Sequence, residues 1–222
     1  MGDHYHIDLK EISLLEFRQD LATREMIPSR VCLKDDLDAR FEILESNGIT
    51  NMQDLVQALN SREKIDRFSA ESDLTIEYLT LLNREAKSYL PKPVRLDKFP
   101  GIPMKSVDRL AAVGIRNTRQ LLDQAWDKKE RALLVQETAI SKDQLEELVC
   151  LSDLSRAYGI GPVFARMLYD VGIRTIKDFV GYPAEDIIRI YEEKSGKTAD
   201  FGVNEIQFSL YLAKGLDTSL EI

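Results

Sequence analysis

A few residues in this chain are of types that do chemistry, and their spacing decides what chemistry is open to them. His4 and His6 are the only histidines. If Met1 is removed, Gly2-Asp3-His4 places an imidazole third from a free amine, an arrangement that chelates Cu(II) or Ni(II). With no further histidine, and with Cys32 and Cys150 far apart in the sequence, no zinc-ligand set is visible, and the triplet reads as an accident of a polar terminus. Both cysteines are flanked by apolar residues, which predicts buried, reduced thiols. The run Ser195-Gly196-Lys197-Thr198 has the look of the end of a phosphate-binding loop. That loop needs a glycine five residues before Gly196, where Tyr191 stands, and no apolar strand precedes it, so the run reads as a loop insertion. The acid pairs Asp35-Asp36 and Glu146-Glu147 read as exposed helix faces and first turns, where the helix dipole favours negative charge. No nucleophile has a base placed near it. These residues predict no catalytic site, no cofactor and no resident metal.

Charge and hydropathy narrow the classes further. Of 222 residues 38 are acidic and 30 basic, a net charge of -8, with a pI near 5.0. A protein that clamps nucleic acid through phosphate neutralisation usually carries the opposite balance. A hydrophobic share of 44% allows an ordinary buried core. No apolar run reaches the roughly 18 residues needed to span a bilayer. The start, MGDHYHIDLKEI, lacks a secretory apolar stretch, which predicts a cytoplasmic protein. Met1-Gly2 invites an N-myristoylation reading, but His6 occupies the place where Ser or Thr is wanted.

The elements that would position any site are set by one string that occurs three times: Leu44 to Leu55 around Gly48-Ile49, Leu110 to Leu121 around Gly114-Ile115, and Leu168 to Phe179 around Gly172-Ile173. In each, a helix ends at a glycine that can turn left-handed, and the following Ile contacts the Leu four residues before that glycine, as in a Schellman turn. Two residues after the Ile stands an N-cap, Asn51, Asn117 or Thr175. Three further on, Asp54, Gln120 or Asp178 completes or approximates a capping box. The spacing between Gly48 and Gly114 also aligns Thr75 with Ser141, both N-caps of long amphipathic helices.

This periodicity predicts an all-α protein of three tandem helix-turn-helix units. An N-terminal segment and helix occupy residues 1–34, with Ser13 as cap and Glu16 at N3, running through Leu14, Leu15, Phe17 and Leu21. Unit one spans 35–89, a proline-containing linker 90–95, unit two 96–154 and unit three 155–222. Unit three takes an insertion near 193–202 and resumes at a helix capped by Asn204. Leu90-Pro91-Lys92-Pro93 is expected to be extended. The helix through Leu148, Leu151 and Leu154 should run directly toward Gly159 and fuse units two and three.

Units two and three also open with a hairpin, Phe99-Pro100-Gly101-Ile102-Pro103 and Ala157-Tyr158-Gly159-Ile160-Gly161-Pro162. On these runs, with Ala165, Leu168 and Gly172-Ile173 downstream and Thr138-Ala139-Ile140-Ser141 and Asp153-Leu154-Ser155-Arg156 upstream, the chain resembles the helix-hairpin-helix superfamily. It is most similar to an uncharacterised branch described as a domain of unknown function. The likeness covers residues 96–187, while unit one matches only through its internal pattern. It implies sequence-independent DNA binding, in which hairpin N–H groups at a helix N-terminus hold a phosphate. A Gly-hydrophobic-Gly turn does this, helped by a Lys or Thr two to three residues on.

Each copy departs from that pattern. Unit three keeps Gly159 and Gly161 but has Val163 and Phe164 at the polar positions. Unit two keeps Lys105 and Ser106, but Pro103 replaces the second glycine and deletes an N–H. Unit one has Asp35-Asp36-Leu37 there. The glycines also have a plain reading, since a turn between close-packed helices needs small, left-handed-tolerant residues whatever it binds. The expected function is therefore a non-enzymatic adaptor that offers grooves to a protein partner, with no membrane and no small-molecule substrate. The alternative is DNA or RNA binding through Gly101, Lys105, Ser106, Arg109, Arg156, Gly159, Gly161 and Arg166. Lys128-Lys129-Glu130-Arg131, with Arg116, Arg119 and Lys105, would supply its one basic face.

Overall fold

Ser13 ends the incoming chain and starts the first helix. Its hydroxyl accepts the Glu16 N–H at 3.2 Å, and the Glu16 carboxylate takes the Ser13 N–H at 2.8 Å, so two donors the helix cannot satisfy are paired reciprocally. The computed structural model describes residues 4–24, 26, 28–199 and 201–222. They are helical throughout: α1 (Leu14–Thr23), α2 (Leu37–Ser46), α3 (Met52–Ala58), α4 (Arg62–Glu71), α5 (Ile76–Ser88), α6 (Met104–Ala112), α7 (Thr118–Ala125), α8 (Lys128–Thr138), α9 (Lys142–Leu154), α10 (Pro162–Asp170), α11 (Ile176–Phe179), α12 (Ala184–Ser195) and α13 (Val203–Ala213), with 3-10 turns at Pro28–Lys34 and Leu96–Lys98. Among the described residues there is no β-strand, only isolated antiparallel bridges joining Ser13 to Asn51 and Arg95 to Asn117.

The glycine joints take the form their sequence dictates. Gly48, Gly114 and Gly172 have φ of +81°, +90° and +98°. After each, the Ile N–H reaches back to the Leu carbonyl: Ile49 to Leu44 at 3.2 Å, Ile115 to Leu110 at 2.9 Å, Ile173 to Leu168 at 2.9 Å. The glycine N–H closes the inner bond of the same motif, to Glu45, Ala111 and Tyr169. The caps follow: Asn51 accepts from Asp54 N–H, Asn117 from Gln120 N–H and Thr175 from Asp178 N–H. Thr75 and Ser141 cap α5 and α9 in the same way.

The first helical N–H after each joint needs an acceptor from elsewhere in the chain. Met52 N–H finds the Ile12 carbonyl at 3.0 Å and Thr118 N–H the Val94 carbonyl at 2.8 Å, each from the residue just before a bridged one, Ser13 or Arg95. Ile176 N–H instead finds a side chain, the buried carboxylate of Asp153 on α9, at 2.7 Å.

The chain divides into two compact units, Asp8–Leu90 and a second formed by Pro91–Ile222 with the N-terminal segment through Ile7. In the first, Phe17, Phe41, Leu44, Met52, Leu55, Leu79 and Leu82 are fully buried. Glu85, 1% exposed, is gripped there by both Arg24 and Arg30. In the second, α9 is the central element, packed against α7, α8, α10 and α11. Every residue from Leu148 to Leu154 is buried, as expected of a helix surrounded on all sides.

Four expectations are corrected. Cys32 is exposed, because the 3-10 turn gives the core position to its neighbour Leu33. Cys150, by contrast, is buried, and burial pushes its thiol up to about 12. Leu15 faces outward at 46% exposure. Ser195 is the last residue of α12 and Gly196 its left-handed cap at φ +67°, so that run is a helix C-terminus. The last helix begins not at Asn204 but after Gly202, whose N–H donates to the Glu205 carboxylate at 2.9 Å. Met1 to Asp3, and with them most of the amine–imidazole triplet, lie outside the described residues, as does Asp200 in the expected insertion.

Candidate functional site

The two hairpins begin alike. Gly101 turns at φ +80° into α6 and Gly159 at φ +78° into α10. In both, the carbonyl before the glycine is held by a side chain from a later helix. Arg166 Nε donates to Pro100 O at 2.9 Å, and Ser209 Oγ donates to Tyr158 O at 2.7 Å. Those side chains lie close over the glycines. A Cβ on Gly101 would sit 3.7 Å from Arg166 Nη2, and one on Gly159 only 3.3 Å from Ser209 Oγ.

The donors that could hold a phosphate are fewer than the glycine pattern implies. Pro103 is the N-cap residue of α6, and Pro162 opens α10, so each entry turn lacks an N–H. In the second hairpin the Ile160 and Gly161 N–H groups are engaged within the turn, by Ala157 O and Gly159 O, each at 3.2 Å. Gly161 itself has φ of −80°, with nothing within 4 Å of an added Cβ, so the left-handed tolerance expected of it is not used.

The side chains named as phosphate contacts are scattered in role. Ser106 is 3% exposed, and its hydroxyl donates to Gln144 Oε1 at 2.7 Å. Arg109 donates to the carbonyl of Ala139, the left-handed cap of α8. Arg166, besides Pro100, pairs with Glu147 at 2.6 Å and Asp170 at 3.2 Å, and its guanidinium lies over the Tyr169 ring. Arg156 is 1% exposed and is a core residue, not a surface contact. It donates to His4 O at 3.0 Å and Asp217 O at 2.6 Å, and lies 3.4 Å from the Asp153 carboxylate. Lys105 is exposed.

The expected basic face also loses members. Arg131 is 4% exposed and donates to the carbonyls of Ala125, Trp126 and Glu221. Arg119 lies 3.5 Å from His6 and over the Tyr5 ring.

Apolar groups stand where polar ones were sought. Met104, first in α6, is 57% exposed, and Val163, second in α10, is 62% exposed. Beside the second hairpin, Tyr158 meets Phe208 edge-on at 4.9 Å, and Phe208 stacks on Tyr211, itself 49% exposed. Ser209 and Phe208 were missed in the sequence, since nothing local ties α13 to residue 158. Val163 carried a signal: an aliphatic residue in the first turn of a helix whose buried face is set by Ala165 and Leu168.

On the 8–90 unit a groove of about 540 Å³ is lined by Glu42, Ser46, Glu71, Ser72 and Asp73 among others. Its serine hydroxyls donate to the Glu42 and Phe68 carbonyls of their own helices, so neither has a base. Among the described residues there is no cluster of three or more metal-ligating side chains, and no helix long and apolar enough to cross a membrane.

The fold and the hairpin surfaces define an all-α chain, and comparison with known proteins adds one match. Residues 100–200 match the model of a family described as a domain of unknown function, DUF4332. No curated protein and no solved structure matches the chain.

Proposed function

We propose that this chain is a non-enzymatic interaction module of the helix-hairpin-helix type, a cytoplasmic adaptor that binds a protein partner at its hairpin surfaces. In this reading the three glycine joints mark three copies of one ancestral unit, and its phosphate grip has been reassigned. The observation that carries it is the fate of the polar groups at the hairpins. Arg166, Ser106 and Arg109 are engaged by the protein itself, and Arg156 is interior. Prolines stand at both helix entries, while Met104 and Val163 face outward. Affinity for a nucleic-acid backbone, and its dependence on salt, both fall as fewer phosphates are neutralised, and few donors are left here to neutralise them. Exposed aliphatic and aromatic side chains beside a rigid turn are instead the material of protein–protein contacts.

The test is photo-crosslinking from positions 104 and 163 of the full chain in extracts of its native host, with protein and nucleic acid both identified. Crosslinks to one protein species from both positions, those from position 104 abolished by Val163→Glu, are the expected result. Crosslinks chiefly to DNA or RNA, abolished by Lys105→Glu, would overturn the reading in favour of nucleic-acid binding.

A further inference from the structure

The groove on the 8–90 unit is lined by residues of two helices, including the C-terminal end of each. Ala39, Glu42 and Ile43 come from α2, Ala70 and Glu71 from α4, and Asp73 stands just beyond α4. Glu42, Glu71 and Asp73 are exposed, while Ile43 is half-buried. The carbonyls at a helix C-terminus carry partial negative charge, so two such ends beside three carboxylates favour a cation. Neither α2 nor α4 has a basic residue in its last turn. Among the described residues no ion pair joins these three carboxylates to a cation.

The 91–222 unit shows twice what such a place takes. The spacing from Gly48 to Gly114 carries Ile43 onto Arg109 and Asp73 onto Ala139. Arg109, in the last turn of α6, donates to the carbonyl of Ala139, the C-terminal cap of α8. The spacing from Gly48 to Gly172 carries Ala70 onto Lys194 and Asn47 onto Val171. Lys194, in the last turn of α12, donates to the carbonyl of Val171, the C-terminal cap of α10. A basic side chain thus ties α6 to α8 and another ties α10 to α12, once from the earlier helix and once from the later. Between α2 and α4 both of those positions are apolar, Ile43 and Ala70, and both line the groove.

We propose that this groove is a docking site for a basic segment of a protein partner, which places an arginine or lysine side chain at the ends of α2 and α4. The partner's side chain takes the role that Arg109 and Lys194 fill from within the chain. Ala39, Ile43 and Ala70 offer apolar surface to its aliphatic stem, and Glu42, Glu71 and Asp73 offer acceptors to its charged head. The groove is separate from the hairpins, so the proposal stands apart from what they bind.

The test titrates ¹⁵N-labelled full chain at low salt with a blocked hexapeptide of alternating alanine and arginine. Peptide rises to about 5 mM, which reaches weak contacts. The amides of Ile43, Asn47, Ala70 and Asp73 should move, and the same peptide with citrulline in place of arginine should leave them still. In a Glu71→Gln/Asp73→Asn variant the apparent affinity should fall roughly fivefold, the loss of two exposed charge contacts. Ile43→Arg, which supplies a guanidinium from within the chain as Arg109 does, should abolish the response. Groove amides that stay in place with the arginine peptide, or move equally with the citrulline peptide, would overturn the proposal. So would an affinity unchanged in the Glu71→Gln/Asp73→Asn variant, or a response that persists in folded Ile43→Arg.

Discussion

The joints at Gly48 and Gly114 differ from the joint at Gly172 in one hydrogen bond, and much of the C-terminal unit follows from it. In the first two, a non-helical segment lies alongside and its carbonyl, Ile12 or Val94, accepts the first N–H of the next helix. At the third the element alongside is the helix α9, and the Ile176 N–H meets one of its side chains instead of a main-chain carbonyl. That side chain is Asp153. A buried carboxylate needs a counter-charge, which Arg156 provides from one turn further on. The guanidinium has donors to spare, and these reach His4 O and Asp217 O. Replacing one main-chain acceptor with a charged side chain thus links a joint to both ends of the chain.

The largest expected effect comes from removing that side chain. Asp153→Ala should destabilise the chain by up to about 3 kcal/mol in denaturant unfolding, since it orphans the buried Ile176 N–H. No comparable side chain exists to remove at the first two joints. Next, Gly172→Ala should cost about 1–2 kcal/mol from the left-handed backbone, and more than Gly114→Ala. Lys194 Nζ lies 3.3 Å from an added Cβ at Gly172, whereas Gly114 has open space. Equal losses at the two positions would show that Lys194 moves freely aside.

A pH effect sharpens the same contrast. Burial raises the Asp153 carboxyl to about 6, outweighing the pull of Arg156 and of the Ile176 N–H. A carboxyl whose folded pKa lies above its unfolded value opposes folding when ionised. Its contribution therefore improves as pH falls through the folded pKa toward the unfolded one, between about 6 and 4. Against an Asp153→Asn control, the wild type should gain on the order of 1 kcal/mol from pH 7 to pH 5. A difference that stays flat over that range would contradict the assignment. At the first two joints the caps are ordinary, and Asn117→Ala should cost about 1 kcal/mol by thermal unfolding. Smallest of all, Lys105→Glu should change stability by less than about 0.5 kcal/mol, as an exposed side chain outside any network.

The joints and their caps were legible in the sequence because each is set within about ten consecutive residues: a left-handed glycine, an Ile reaching back to a Leu, an Asn or Thr starting the next helix. The role of Asp153 was not. It depends on α9 taking the place of a non-helical lead-in, and on an N–H more than twenty residues away. Arg156 looked like a phosphate contact because it stands beside a hairpin, but its neighbours in space are His4 and Asp217, from opposite ends of the chain. The same distance hid the packing of residues 4–7, a polar segment with no periodicity to read. The hairpins lie between these cases. That Pro103 removes a turn N–H and that Val163 is apolar is readable in the sequence, while the engagement of Arg166 and Ser209 on the carbonyls before Gly101 and Gly159 is tertiary.

The proposal is that the joints are architecture and that the hairpins do not hold phosphate. Titrating ¹⁵N-labelled full chain with a short DNA duplex at low salt, and following the amides of Gly101, Ile102, Gly159, Ile160, Gly161, Val163 and Phe164, tests it most directly. The account predicts that these resonances stay in place up to about 0.1 mM duplex, within the range where even non-specific binders associate at physiological salt. Movement of these amides on adding duplex, reversed by salt, would contradict it.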